Sequence, residues 1–220
     1  MVIYDERYVS SYDPDGPLRM RRLRRYMQLR SDYRVVDFGC GNGLLLAEIG
    51  RSVQEYVGVD SSQAFVDDAL RRLEKSKCLN ASFFCQEFSE FSQGHEACFD
   101  RAFLLDVSEH VHDEDLLPAL WQIRATLKRE GILYLHSPNR SYFLERLKAR
   151  GILRQVEGHV AVRTAAEMER LLRRAGFGDV RTRFIPHYLY PARAFHFASR
   201  LPLLGGAFQA RLFISAGANR

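Results

Sequence analysis

Val35-Val36-Asp37-Phe38-Gly39-Cys40-Gly41-Asn42-Gly43 runs directly into Leu44-Leu45-Leu46-Ala47. Two β-branched residues and an acid lead into three glycines at alternate positions, and the apolar run that follows has helical character. The pattern predicts a buried strand, a tight turn and a helix N-terminus. Glycine lets the backbone take positive φ and lets a ligand approach closely. The first N–H groups of a helix stay free for a negative ligand group. A nucleotide-like cofactor is the expected tenant.

The spacing narrows the choice of nucleotide. A dinucleotide-binding turn reads G-x-G-x-x-G, whereas this one reads G-x-G-x-G, with Leu44 where the third glycine would fall. Asp37 sits two residues before the first glycine, where a carboxylate would repel a pyrophosphate but suits an ammonium group. No Gly-Lys-Ser/Thr follows, which excludes a phosphate-binding P-loop. A second strand, Tyr56-Val57-Gly58-Val59-Asp60, ends in an acid 23 residues after Asp37, and a carboxylate there can accept both ribose hydroxyls.

These stretches resemble the class I S-adenosylmethionine-dependent methyltransferases. Phe99-Asp100 leading to Asp106-Val-Ser-Glu-His-Val resembles the family's fourth strand, and Leu127-Lys-Arg-Glu-Gly131-Ile-Leu-Tyr-Leu its fifth. Ala175-Gly176-Phe177 resembles the turn before the sixth. The resemblance implies an α/β fold: a Rossmann-like seven-stranded, mostly parallel sheet with helices on both faces and an antiparallel final strand, in one methyltransferase domain over 1–220. It implies S-adenosylmethionine as cofactor. Asp37 and the glycine loop (Gly39, Cys40, Gly41) would hold its methionine portion and Asp60 its ribose. Gln86, Glu87 and Phe88 would flank the adenine, and Ser61 and Leu105 would complete the cofactor set.

Composition agrees with one soluble globular domain. The chain has 220 residues, 46% hydrophobic and 27% charged. No stretch approaches the roughly 20 apolar residues of a membrane span, and the start, Met-Val-Ile-Tyr-Asp-Glu-Arg, lacks a basic-then-apolar signal pattern. Cysteines 40, 78, 85 and 98 show no C-x-x-C spacing. Free thiols of a cytoplasmic protein are expected, not a zinc site built on cysteine pairs. A net charge of +5 admits anionic partners, nucleic acid or lipid headgroups among them.

Along the chain, residues 1–16 read as a flap. Residues 18–30 read as an amphipathic helix with Met20, Leu23 and Met27 on one stripe amid arginines. That helix either packs its stripe on the sheet or offers a basic face to RNA or a membrane. Further helices are expected over about 62–76, 113–129, 141–150 and 164–175. Strands are expected at 81–85, 99–105, 132–136, 179–185 and 211–215. Two connections, 137–163 and 186–208, are long enough to cap a substrate pocket. The second is aromatic and basic (Tyr188, Tyr190, Phe195, Phe197, Arg193, Arg200) and could instead touch a membrane interface or a second copy of the chain.

Ligands of open parallel sheets bind outside the carboxyl ends of the strands, so Asp106, Glu109 and His110 should face the cofactor methyl. The acid-x-x-Glu-His pattern resembles two methyltransferase groups. One is the ubiquinone-biosynthesis O-methyltransferases, the closer in pattern; the other is the small-RNA 2′-O-methyltransferases, in which such residues and a later histidine hold magnesium. Ser137-Pro138-Asn139 and His159 match the later part of that arrangement. Two site readings therefore stand. Asp106, Glu109, His110 and His159 form a Mg²⁺ site, or they line a metal-free pocket with His110 or His159 as general base. His136 reads as a core residue, and His95, His112, His187 and His196 as surface or packing residues. The expected reaction is methyl transfer to a hydroxyl of a small apolar or aromatic molecule. The alternatives are an RNA 2′-O-methyltransferase and a cofactor-binding protein without turnover.

Overall fold

In the computed structural model, the residues described are 16–76, 78–156, 158–188, 193–201 and 205–219. The flap at 1–15, Tyr190 and the side chains of Phe195 and Arg200 lie outside them. In chain order the elements are α1 (Gly16–Arg24), β1 (Arg34–Phe38), α2 (Leu44–Ile49), β2 (Glu55–Asp60), α3 (Gln63–Ser76), β3 (Ala81–Cys85), α4 (Phe88–Ser92) and β4 (Phe99–Leu105). They continue with α5 (Asp113–Thr126), β5 (Leu127–Pro138), α6 (Phe143–Ala149), α7 (Ala165–Arg174), β6 (Gly178–Ile185) and β7 (Arg211–Gly217).

Alternation along β1 explains why helices cover both faces. Successive strand side chains point to opposite faces. Val35 joins a core with Leu23, Leu45, Ile49 and Tyr56, whereas Val36 and Phe38 join one with Val57, Leu120, Ile123 and Leu172. Strands buried on both sides read as continuous apolar runs, typical of a parallel sheet. The seven strands are ordered β3-β2-β1-β4-β5-β7-β6. The first five pair in parallel, and β7 runs antiparallel to both β5 and β6. The strand order reverses between β1 and β4, so the crevice at the carboxyl ends of those two strands is where ligands of such sheets bind.

Two helix ends differ clearly from expectation. α1 ends at Arg24, and a turn carries Met27 back to the sheet. Met20, Leu23 and Met27 are buried, so the stripe over 18–30 faces inward. α5 stops at Thr126 instead of 129, because Leu127 enters the ladder opposite Phe99 and a bulge restores register at Arg101–Ile132. α7 begins as expected at Thr164, and Glu167 completes a capping box. Among the described residues, no helix is long and apolar enough to cross a membrane.

Candidate active site

All three loop glycines take left-handed backbone, with φ of +70° at Gly39, +51° at Gly41 and +75° at Gly43. A Cβ on Gly39 would come within 2.4 Å of Val107 Cγ2, so only glycine lets the loop approach the end of β4. Gly39 and Cys40 donate to the Val59 carbonyl at 2.8 and 3.1 Å, which hangs the loop from β2. The Asp60 carboxylate then accepts from Gly41 N–H (2.9 Å) and Ser62 N–H (2.9 Å). Burial pushes the Asp60 carboxyl above its ordinary range, and these two N–H groups oppose that rise.

A cleft of about 750 Å³ opens beside this carboxylate. Gly39, Gly41, Asp60 and Ser61 line one wall, Glu87 and Phe88 another, and Asp106 and His110 the end nearest β4. The volume lies in the range of small-molecule sites. The acid at the β2 terminus, the apolar Phe88 wall and the glycine cradle fit a nucleoside cofactor with a charged tail.

Four residues expected at the cofactor are elsewhere. Asp37 is buried beneath the loop, where its Oδ2 accepts from Tyr56 Oη at 2.7 Å. Burial pushes its carboxyl up to about 7, against that hydrogen bond. The expected presentation of this carboxylate to the ligand is therefore corrected: the tyrosine, one strand over, claims it. Cys40 is buried, and a Cβ on Gly58 would meet its Sγ at 3.0 Å. Gln86 turns outward to Glu90. Leu105 packs in the core with Phe103 and Tyr134.

At the end of β4, Asp106 takes φ +57°, a conformation Asp tolerates better than most residues. Its carboxylate lies 3.0 Å from Arg19 Nε, 2.8 Å from His136 Nδ1 and 3.4 Å from Arg211 Nη1. Burial alone would raise the Asp106 carboxyl, but His136 and the two arginines outweigh it and hold it well below the usual carboxylate range. Burial pushes His136 down against the pull of Asp106. A neutral His136 keeps its Nδ1 2.8 Å from Asp106 Oδ1, and its Nε2 lies 2.9 Å from Tyr188 Oη. Arginines expected on a free basic face are thus employed internally. Arg19 holds Asp106, and Arg22 donates to the Tyr188 carbonyl at 3.3 Å.

Glu109, His110 and His159 form a separate group, each offering one ligand atom within 4.8 Å of the others. Asp106 is not in that group, which corrects the four-residue metal set: the cations around Asp106 turn it aside. Burial, with the Asp106 charge added, pushes the Glu109 carboxyl up to about 8, and its Oε2 has no partner. His110 Nδ1 lies 2.9 Å from the Gly158 carbonyl, so this nitrogen carries the proton and Nε2 carries the lone pair. The rings of His110 and His159 lie 5.0 Å apart, edge to face. Burial lowers His110, and burial first, with the neighbouring His110 and the cations Lys148 and Arg211, lowers His159 to about 4. Both are neutral imidazoles near pH 7.

Arg163 fixes the turn that carries these residues. It is buried and donates to Asp113 Oδ1 (2.7 Å) and to the carbonyls of Ser108 (2.5 Å), Val111 (2.7 Å) and Ala161 (2.9 Å). The Glu109 carbonyl accepts from Val160 and Ala161 N–H, which closes the 137–163 connection over the turn. Arg19, His136, Arg163 and Arg211 are the residues sequence reasoning did not place at the site, whereas Tyr188 belongs to the 186–208 connection expected to cap it. For His136 a signal existed, a polar side chain at the carboxyl end of a strand buried on both faces.

A nucleoside-sized cleft at the strand-order reversal, with an acid at the β2 terminus and neutral histidines at the β4 end, is a candidate cofactor site in a protein of the open α/β class. Residues 12–182 match a family profile described as a methyltransferase domain, and the chain belongs to that family. Ubiquinone biosynthesis O-methyltransferase from Coxiella burnetii is 27% identical over 127 residues, covering 58% of this chain and 52% of that one. The Bradyrhizobium diazoefficiens protein of the same description is 30% identical over 124 residues, covering 56% and 47%. The chain thus spans about half the length of these curated relatives. Among solved structures, a Haloferax volcanii methyltransferase in complex with the Trm112 activator superposes with TM-score 0.74 at 16% identity, covering 98% and 97% of the chains. An Archaeoglobus fulgidus SAM-dependent methyltransferase superposes at 0.69 and 18%, covering 92% and 94%. At these identities the likeness is one of fold.

Proposed function

We propose that this enzyme methylates a hydroxyl of a small aromatic or apolar molecule, with His110 as general base. The observation that carries the reading is the His110 Nδ1 contact with the Gly158 carbonyl, which leaves Nε2 as an acceptor in the cleft wall. Bound S-adenosylmethionine supplies an electrophilic sulfonium methyl. Asp60 would accept hydrogen bonds from the ribose, Glu87 and Phe88 would border the base, and Gly39 and Gly41 would let the methionine portion lie close to the backbone. His110 Nε2 would take the acceptor's hydroxyl proton as the oxygen attacks the methyl carbon and the methyl–sulfur bond breaks, leaving the thioether S-adenosylhomocysteine, and lowering of His110 by burial keeps it neutral and ready for that role. His159, packed edge-on, holds the His110 ring and narrows its exposure to water. The rest of the rate comes from positioning acceptor and donor in line.

The reading is metal-free. Two imidazoles and one carboxylate are a softer set than Mg²⁺ takes, since that ion demands near-octahedral oxygen coordination. The curated relatives named for ubiquinone-biosynthesis O-methylation support an oxygen acceptor. The test is a labelled methyl-donor assay against lysate fractions split into lipids, small polar molecules and RNA, with and without EDTA. EDTA-resistant labelling of a small molecule, lost in His110→Ala, is expected. Labelling confined to RNA and abolished by EDTA would refute both halves of the reading.

A further inference from the structure

A second cleft, of about 630 Å³, opens on the face of the sheet where β5, β7 and β6 run side by side. It shares no lining residue with the cofactor cleft. Strand register fixes its walls. Arg181 pairs with Ser215 and Arg183 with Phe213, and Ser215 pairs on its other side with Tyr134. Residues paired across a sheet point to one face, so both arginines stand on the face that carries Phe213, Ser215 and Tyr134. The chain after α1 closes one side with Tyr26 and Gln28, the Tyr26 ring lying 5.6 Å from that of Phe213. Glu130, Asp179 and Asn219 close the end near Gly217.

The two guanidinium groups on this wall lack an anion. Among the described residues Arg181 makes no hydrogen bond or ion pair, and Arg183 has only the Tyr26 ring, 5.2 Å from its central carbon. By contrast Arg19, Arg22 and Arg101, on the same side of the sheet, each reach a protein oxygen. The acids of the cleft stand apart from the pair. Asp179 takes φ +43° at the bulge where β6 slips register between Gly178 and Arg181, and its Oδ2 accepts from Asn219 Nδ2 at 3.1 Å. A bulge re-aims a side chain, and residues other than glycine in left-handed backbone gather where a site requires them. Asp106, which lines the cofactor cleft, shares that conformation.

The cleft is therefore cationic on one wall and anionic at one end. Two guanidinium forks suit the oxygens of a phosphate, and the carboxylates suit hydroxyl donors. Asp179 and Arg181 are two residues apart, at most roughly 7 Å of strand, the scale of a ribose between its 5′-phosphate and its 2′ and 3′ hydroxyls. We propose that this cleft is a second ligand site, specific for a ribose phosphate. The phosphate lies on Arg181 and Arg183, and the ribose hydroxyls donate to Asp179 and Glu130. The ligand is a nucleotide, free or as a unit of an RNA chain, and its recognition is independent of the methyl-transfer reading.

The probes are uridine 5′-monophosphate, its 2′-deoxy analogue and uridine, titrated calorimetrically into protein saturated with S-adenosylhomocysteine so that the cofactor cleft is occupied. The monophosphate should bind about tenfold or more tightly than uridine, the span of one charge-assisted hydrogen bond. It should bind severalfold more tightly than the deoxy form. Arg181→Met with Arg183→Met should erase the first preference. Asp179→Asn, which tolerates the left-handed backbone, should erase the second. Affinity for S-adenosylhomocysteine should be unchanged in both variants. Wild-type protein that fails to bind the monophosphate, or binds it no better than either other probe, overturns the proposal. So does a phosphate preference that survives the double substitution, or displacement of S-adenosylhomocysteine by the monophosphate. A short oligouridylate identifies the source within a confirmed site: tighter binding with a steep salt slope assigns it to an RNA chain, and binding no tighter than the monophosphate assigns it to a free nucleotide.

Discussion

Replacing Asp60 by Asn tests the cofactor cleft with the least change of shape. In the native protein one carboxylate accepts two backbone N–H groups, Gly41 at 2.9 Å and Ser62 at 2.9 Å, and so ties the glycine loop to the turn after β2. The amide keeps one acceptor oxygen. Its other end becomes an NH₂ donor directed at an N–H donor, so one of the two contacts is lost and the other loses its charge. A hydrogen bond to a charged group is worth about 1.5–3 kcal/mol, which puts the loss of loop order and ribose contacts near 2 kcal/mol. At about 1.4 kcal/mol per decade, S-adenosylhomocysteine should bind roughly 30-fold more weakly by calorimetry. The far-UV dichroism and the cooperativity of the melt should be retained. An Asp60→Asn protein that binds S-adenosylhomocysteine with wild-type affinity would refute the assignment of this cleft to the cofactor.

Other expectations follow from neighbouring contacts. Arg163→Met removes four hydrogen bonds and strands three carbonyls, at about 3–5 kcal/mol by urea unfolding; turnover should fall more than cofactor affinity, and equal losses would argue against its role in holding the His110 turn. Asp37, pushed up to about 7, keeps its proton in the native state while the unfolded chain, with a pKa near 3.9, loses it. Its contribution to stability is therefore fully present below about pH 4 and lost as pH rises to about 7, by about 4 kcal/mol in all. Asp37→Asn should flatten the pH dependence of Tm across that window, and parallel curves would refute the assignment. A Cβ at Gly58 would lie 2.4 Å from Phe83 Cδ1, so Gly58→Ala should lower the urea midpoint by the equivalent of about 1–3 kcal/mol, and an unchanged midpoint would show that Phe83 yields freely.

The frame of the fold was legible because its signals are local. The Val35–Gly43 run, the Tyr56–Asp60 strand and Thr164 at a helix start each carry their meaning within a few residues. The end of α5 was not, because Leu127 is drawn into β5 by pairing with Phe99, a partner 28 positions earlier. The site divides in the same way. Asp60 and His110 follow from their places at strand ends. The diversion of Asp37 depends on Tyr56, and that of Asp106 on Arg19 from α1, His136 from β5 and Arg211 from β7. No spacing rule connects four such distant positions. A polar side chain's place at a strand end can be read, but which partner captures it depends on tertiary packing.

The order of strands has a consequence for biosynthesis. β6 has one neighbour in the sheet, β7, which inserts between it and β5. Until β7 has been synthesised, β6 has no ladder to join, and the edge of β5 that carries His136 stays open. Arg211 also arrives with β7. The polar centre around Asp106 is therefore among the last features to be completed on a nascent chain, and a ribosome-bound intermediate ending after β6 would hold the glycine loop, Arg19 and His136 while lacking Arg211. The glycine loop and the β2 acid should accordingly be in place, during synthesis, before the charge balance around Asp106 is complete.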